Sequence, residues 1–341
     1  MNIFVAIVIL NWNGKKFFET FLDPLVKFSS GSRNKIFVVD NNSTDDSVEY
    51  VRSNFPGIEI IRFDVNYGFA KGYALALTKI KARYYVLLNS DVEVTENWLE
   101  APIDLLERDT SVAAVMPKIR SYTKRDHFEY AGAAGGFIDK FGYPFCQGRI
   151  LTEIEKDRGQ YDRQREIFWA SGACMFLRSE AYFRAGGLDG DFFAHMEEID
   201  LCWRMKRSGY KIYYSPESLV YHVGGGTLPN DNPRKLYYNY RNSLYLLFKN
   251  LYRYQFLTLL ISRMLLDCVS CTLYLIQGKF SFFLSVIRAH IRFLINLPKL
   301  VKKRITFNKL VSKSSVDQIY MKSIVFSFFI KKKKHFSDLN F

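Results

Sequence analysis

Residues 84–94 read YYVLLNSDVEV. An unbroken apolar run of this length predicts a strand buried on both faces. The polar Asn89-Ser90-Asp91 falls where that strand ends. Upstream, residues 4–10 form a second continuous apolar run. Residues 35–40 (KIFVVD) run into Asn41-Asn42-Ser43-Thr44, and residues 58–63 make a further strand. Helical patterns fill the gaps at 15–28, 45–54 with Thr44 as its cap, and 69–81. Downstream, a helix over 95–108 precedes a strand at 112–116. Strand-helix alternation with short connections predicts an α/β fold with a Rossmann-like, mostly parallel central sheet and helices on both faces. In such sheets ligands bind beyond the carboxyl ends of the strands. The polar residues gather there: Asn11 and Asn13, Asp40 to Asn42, Asn66, and Asn89 to Asp91.

The middle of the chain is less regular. Residues 130–143 (YAGAAGGFIDKFGY) are turn-rich, without the spacing of a dinucleotide loop. Residues 168–177 (FWASGACMFL) predict a strand, 197–208 a helix ended by Gly209, 211–223 two short strands, and 231–254 a helix.

The chain of 341 residues has 48 Lys and Arg against 34 Asp and Glu, a net charge of +14. All of that excess lies in residues 244–341, where the only acids are Asp267, Asp317 and Asp338. The sequence thus divides into a neutral body, 1–243, and a basic region, 244–341, that calls for an anionic partner. On a helix over 280–297, Ser281, Ser285, Arg288 and Arg292 share one stripe, continued by Lys299. Phe283, Ile287, Ile291 and Leu294 lie opposite. This is the pattern of an interfacial, amphipathic membrane helix. Basic clusters at 302–304 and 331–334 add attraction to an anionic membrane surface. A nucleic-acid partner is not expected, because the neutral body lacks a recognisable reading module. No signal peptide and no uncharged run of spanning length are apparent. Five scattered cysteines do not suggest a secreted disulfide scaffold, and Cys268 and Cys271 sit in a helical stretch unsuited to redox chemistry. The expectation is a cytoplasmic protein held peripherally at the inner face of the cytoplasmic membrane.

A carboxylate at a strand end suits a hard cation shared with phosphate, Mg²⁺ or Mn²⁺. Asp91 is placed for that. The acidic run Glu197-Glu198-Ile199-Asp200 opens a helix, where it suits the macrodipole or provides a base. Asp200 can also pair with Arg204 one turn on.

Several segments together resemble the family 2 glycosyltransferases of GT-A fold, in the rhamnosyltransferase-like, single-addition branch. They are VILNWNG at 8–14, VVDNNSTDDS at 38–47, NYGFAKGYALAL at 66–77, LLNSDVEV at 87–94, WASGACMFLR at 169–178, FFAHMEEIDLCWRMKRSGY at 192–210 and VYHVGGGT at 220–227. The resemblance spans roughly residues 3–245. It implies a nucleotide-sugar donor, dTDP-rhamnose or a UDP-hexose, and a lipid-linked or surface-glycan acceptor. It places Asn11 and Asp40 at the base, Asn42 among the residues that bind the nucleotide-sugar, and Asn66, Gly68 and Lys71 along the nucleotide. Asn89 stands where the family's metal motif has its first Asp. Asp91 keeps the usual metal-ligand position, and His222 is a further metal or phosphate contact. Glu198 takes the place of the catalytic base, with Glu197 and Asp200 beside it. Trp169, Gly172 and His195 fall on the acceptor side, and Arg241 near the donor phosphates. A processive polysaccharide synthase subunit is the alternative within the class, but its Gln-x-x-Arg-Trp motif is absent.

Overall fold

The computed structural model describes residues 3–224, 232–252, 256–309, 311 and 316–341. Four strands, β1 (Ile3–Asn11), β2 (Asn34–Asp40), β3 (Glu59–Arg62) and β4 (Ala82–Asn89), run parallel in the order β3-β2-β1-β4. Helices α1 (Lys15–Phe28), α2 (Ser47–Asn54) and α3 (Gly68–Lys79) connect them. The apolar runs do what their composition requires. Val5 to Ile9 and Tyr84 to Leu88 are buried between covering layers. Pairing aligns Asn11 with Asp40 and Leu10 with Asn89, so the polar strand ends share one edge.

The sheet is mixed beyond β4. Strand β5 (Val92–Val94), helix α4 (Glu100–Arg108) and β6 (Val112–Ser121) follow. A second sheet of β7 (Gly136–Asp139), β8 (Pro144–Cys146), β9 (Arg149–Ile150) and β10 (Glu153–Ile154) forms from the turn-rich middle. The chain then returns to the main sheet. There β11 (Arg165–Ile167) is antiparallel to β13 (Lys211–His222), and β12 (Cys174–Arg178) wedges antiparallel between β4 and β6. Short α5 (Ser179–Arg184) and α6 (Glu197–Arg207) precede β13.

Four expected boundaries move for local reasons. The strand expected over 168–177 starts only at Cys174, because Trp169 leaves the main sheet to bridge Gly136. The helix expected from Thr95 starts at Glu100, because residues 92–94 pair with β13 and Thr95 Oγ1 donates to the Leu219 carbonyl. The helix expected from residue 45 starts at Ser47, and Thr44 instead donates its N–H to Asn13 Oδ1. Residues 211–222 form one strand with a register shift between Ser215 and Leu219, across Pro216, which has no N–H for the ladder.

The C-terminal region is helical, as expected: α7 (Pro233–Asn250), α8 (Phe256–Ile276), α9 (Phe280–Ile295) and α10 (Leu297–Asn308), with a 61° bend between the last two. It does not divide from the body at residue 243. α7 runs through that point, and Leu260, Phe293 and Leu300 join the same core. Strand β14 (Ile319–Tyr320) pairs with β7, and helix α11 (Ile324–Phe329) starts with the Ile324 N–H on Asp139. Phe336 and Phe341 pack on Phe137 and Phe145. The lysine cluster is partly engaged: Lys334 pairs with Glu153 at 3.1 Å, and Lys333 donates to the Asp338 carbonyl.

α8 differs from expectation. Its 21 residues are long and apolar enough to cross a membrane despite Arg263 and Asp267. Those two charges pair at 2.8 Å and both are buried against the body, with Tyr143 and His290 completing the cluster.

Candidate active site

Beyond the β1 and β2 ends, side chains bond to one another before any ligand enters. Asn11 is fully buried, and its Nδ2 donates to Ser43 Oγ at 3.0 Å and Ser47 Oγ at 2.8 Å. Its amide nitrogen ties β1 to the start of α2, while its Oδ1 is buried without a partner. Asp40 Oδ1 accepts the Ser43 N–H at 3.2 Å, while buried Oδ2 has no hydrogen-bond partner and faces Arg62 Nε at 3.7 Å. Asn42 is exposed in a left-handed turn, φ 64°. Its neighbour Asn41, which the sequence reading did not single out, is the fastener. It donates to Asn66 Oδ1 at 2.9 Å and to the Gly68 carbonyl at 3.2 Å, and accepts the Tyr67 N–H at 2.9 Å. Asn66 Oδ1 also accepts the Gly68 N–H, so its carbonyl is used within the loop. Gly68 is required twice over: its φ is 72°, and a Cβ there would lie 2.5 Å from the Phe193 ring. Lys71 is exposed, with its ammonium 4.4 Å from the Tyr67 ring.

At the β4 end, Asp91, His222 and Glu129 form a row. His222 Nε2 lies 3.1 Å from Asp91 Oδ1, and Nδ1 lies 3.2 Å from Glu129 Oε2 without hydrogen-bond geometry. Burial would discharge the imidazole, but Glu129 and Asp91 win and its pKa is pushed up to about 10. Burial also works against the Asp91 carboxylate, yet His222 brings it below its ordinary value. Asn89 Nδ2 sits 3.5 Å from His222 Nε2. Glu129 lies in the irregular stretch after β6, where no pattern pointed to it. Among the described residues no three such side chains converge on one point. The carboxylate and imidazole still fit a divalent cation that draws most of its shell from phosphate and water, with His222 giving up a proton to ligate. Of the VYHVGGGT motif, residues 225–227 lie outside the described residues.

Glu198 stands on the first turn of α6, after a loop with three left-handed non-glycine residues, Phe193, His195 and Met196. Such backbone costs on the order of 1–3 kcal/mol per residue and persists only where surroundings enforce it. Buried Glu198 Oε2 has no hydrogen-bond partner, and burial pushes the carboxyl up to about 7. Glu197, more deeply buried, is held well above the ordinary range by burial and by Glu198 beside it.

Three expected site residues turn out to be structural. Asp200 is fully buried, pairing with Arg204 at 2.8 Å and Lys249 at 2.8 Å, and accepting from Asn250 at 2.8 Å. It is saturated and offers no base. Trp169 is only 3% exposed, and its Nε1 donates to the Phe137 carbonyl at 2.9 Å. Its ring packs against Gly136, where a Cβ would come within 2.2 Å, so no face is open to a sugar. Arg241 donates to the Asp191 carbonyl at 3.0 Å and the Phe192 carbonyl at 2.8 Å, holding the loop before Glu198 rather than reaching phosphate. Gly172 makes room for Phe69, 3.1 Å from where its Cβ would be. His195 belongs to the strained loop; its Nε2 is buried without a partner, and burial lowers its pKa to about 4.

Comparison with known proteins bears on the family and the fold. The chain is 23% identical over 205 residues to N-acetylglucosaminyl-diphospho-decaprenol L-rhamnosyltransferase of Mycobacterium tuberculosis, covering 55% of this chain and 66% of the relative. It is 25% identical over 225 residues to rhamnosyltransferase WbbL of Escherichia coli K12, covering 64% and 83%. Among solved structures it resembles the mannosyltransferase PcManGT of Pyrobaculum calidifontis, in complex with GDP-Man and Mn²⁺, with TM-score 0.52, 13% identity, and 87% and 88% of the two chains covered. GalNAc-T7 with UDP, GalNAc and Mn²⁺ gives TM-score 0.56 at 14% identity, over 73% of this chain and 48% of the other. The chain thus spans just under two thirds of the mycobacterial relative and about half of GalNAc-T7. These likenesses identify the fold as GT-A. Residues 6–183, more than half of the chain, match the description "Glycosyl transferase family 2", and the chain belongs to that family.

Proposed function

We propose that this protein is an inverting glycosyltransferase. It moves one sugar from a nucleotide-sugar, dTDP-rhamnose or a UDP-hexose, to a hydroxyl of a lipid-linked or surface-glycan acceptor. The observation that carries the reading is Glu198: a partly exposed residue on the first turn of α6, without a hydrogen-bond partner on Oε2, whose carboxyl burial pushes up to about 7. A base poised near the working pH is what proton removal from an alcohol needs. Family membership supports the transfer, and the similarity to rhamnosyltransferases supports rhamnose first among donors.

In this reading Asp40 accepts an N–H of the base, and the loop pinned by Asn41 lines the nucleotide. Asp91 and His222 would hold Mg²⁺ or Mn²⁺, whose chemistry there would be charge neutralisation at a leaving diphosphate. Glu198 takes the acceptor's hydroxyl proton as that oxygen bonds to the anomeric carbon. The bond from carbon to the nucleoside diphosphate breaks on the opposite side, and configuration inverts.

The chain works at an anionic membrane face. α9 turns Ser285, Val286, Ala289 and Phe293 to the body, leaving Ile287, Ile291 and Leu294 exposed beside Arg288 and Arg292. α8 exposes Leu257, Ile261, Leu265, Val269 and Leu273, one stripe at helical spacing, while hiding its two charges. Apolar stripes beside cations suit the headgroup boundary.

Replacing Glu198→Gln is expected to abolish transfer while leaving nucleotide-sugar binding intact, measured by product formation and by thermal shift with each candidate donor. Full activity in that variant would remove the base assignment.

A further inference from the structure

Arg149, on β9 of the second sheet, is buried yet poorly paired. Its two recorded hydrogen bonds are long, 3.4 Å to the Leu151 carbonyl and 3.4 Å to Cys146 Sγ. Its Nε is buried without a partner. Among the described residues no carboxylate forms an ion pair with it; Glu129 acts on it, and on Lys235, from farther off while itself facing His222 at 3.2 Å. Burying a guanidinium this way is costly unless a counter-charge arrives. Other buried arginines here are satisfied, Arg204 and Arg263 by carboxylates and Arg178 and Arg241 by backbone carbonyls at 2.8–3.1 Å, whereas Arg149 has neither.

Its surroundings point to the side from which the counter-charge comes. The guanidinium lies 4.5 Å from the ring of Tyr130, which is 42% exposed, and Lys235 Nζ lies 5.9 Å from the same ring. Tyr130 follows Glu129, the partner of His222, so this cationic corner adjoins the Asp91 end of the crevice. It adjoins the base as well. Burial raises the Cys146 thiol, Arg149 lowers it, and Glu129 and Glu198 raise it further, so Arg149 and Glu198 both act on one sulfur. Lys235 likewise acts on His195, whose Nε2 is the second buried nitrogen there without a partner.

We infer that Arg149 and Lys235, with His195 beside them, form a binding site for a phosphate group of the acceptor. A planar guanidinium and an ammonium gathered at one tyrosine ring match a phosphate ester or diphosphate, through charge-assisted and partly bidentate contacts. The site deepens the glycosyltransferase reading and rests on it: the sugar's hydroxyl is presented to Glu198 by anchoring an anionic group on the same molecule. The donor's own diphosphate is the other source of this chemistry, and it lies with Asp91.

The test uses the full chain with dTDP and Mn²⁺ present in excess, so that the donor's phosphate positions are filled. Inorganic pyrophosphate and farnesyl diphosphate are the probes, titrated by calorimetry. Wild type is expected to bind both. Arg149→Met should weaken them at least about tenfold, the scale of one hydrogen bond to a charged group, with Arg149→Lys between the two. dTDP affinity should not change. Lys235→Met, at a half-buried position, should reproduce the weakening, and it decides the matter if Arg149→Met fails to fold. Absence of probe binding to wild type overturns the site. So does a loss that falls on dTDP instead, or displacement of the probes by dTDP, either of which assigns the corner to the donor. If wild type binds the probes but no nucleotide or nucleotide-sugar, the anion site stands and the proposed function fails.

Discussion

Asn242 donates its side-chain amide to the His195 carbonyl at 2.7 Å, and the same nitrogen reaches the carbonyls of Ala194 at 2.8 Å and Phe192 at 3.0 Å. Its own carbonyl oxygen accepts from Arg241 Nε at 2.9 Å. One fully buried residue of α7 thus fastens the strained loop that delivers Glu198. Asn242→Ala takes the side-chain donor from the Ala194 and His195 carbonyls, while the Phe192 carbonyl keeps Arg241. It should destabilise the fold by about 1–3 kcal/mol in urea denaturation, and lower kcat well beyond what the residual fold loss explains. Asn242→Asp places a carboxylate against the same carbonyls and should be worse than alanine on both measures.

The Glu198 carboxyl titrates near 7 instead of its ordinary 4.5 because burial opposes its charge. Only the ionised form accepts a proton, so the transfer rate should rise with pH below about 7 and level off above it. The stability effect has the opposite sign. Between 4.5 and 7 the folded protein keeps a proton that the unfolded chain has released, so each step up in pH through that window weakens the fold. Glu198→Gln should therefore raise the melting temperature at pH 8 by roughly 2–5 °C and leave it nearly unchanged at pH 4. A scanning calorimeter reads both.

Asp91 shares His222 with Glu129. Asp91→Asn keeps the shape and removes the charge expected to face the cation. Donor binding in the presence of Mn²⁺ should weaken at least about tenfold, the cost of losing a contact to a charged group, while binding without metal changes little. Titration of dTDP with and without Mn²⁺ separates the two.

Leu265 and Val269 stand 62% and 59% exposed on the outer stripe of α8. Glutamate at both positions should leave the melting temperature within about 2 °C, because neither side chain packs in the core. Flotation with anionic vesicles should be lost. Arg288→Gln with Arg292→Gln should weaken flotation and flatten its dependence on salt. Binding of these surfaces to nucleic acid in preference to vesicles would contradict the membrane assignment.

Much of the donor half was legible in sequence because its signals are local. The runs ending at Asn11, Asp40 and Asn89 announce both the strand and the polar group at its tip, and parallel pairing puts those tips on one edge. The resemblance added Glu198, which no periodicity distinguishes from Glu197 or Asp200. What separates the three is tertiary. Asp200 meets Lys249 and Asn250 from a helix about fifty residues away, whereas Glu197 and Glu198 both keep an Oε2 without a partner and differ in exposure, Glu197 being buried and Glu198 partly exposed. Trp169 and Arg241 misled for the same reason. An aromatic ring or a guanidinium has the chemistry for a ligand and for the core alike, and Gly136 and the Phe192 carbonyl decide between them. Glu129 and Asn242 left no trace in the pattern, and Asn41 showed only as one of the polar residues after β2, since their partners lie on other elements.

The pairing of Ile319 with Ile138 sets an order of events. The second sheet begins to emerge from the ribosome about 180 residues before the strand and aromatic plug that complete it. At roughly 5–20 residues per second, that is on the order of 10–40 s of synthesis. During this interval the parallel half can fold from its own neighbours, while the edge of β7 and the faces of Phe137 and Phe145 wait uncovered. The newborn chain thus acquires its two halves at different times, and the half carrying Arg149 is finished last.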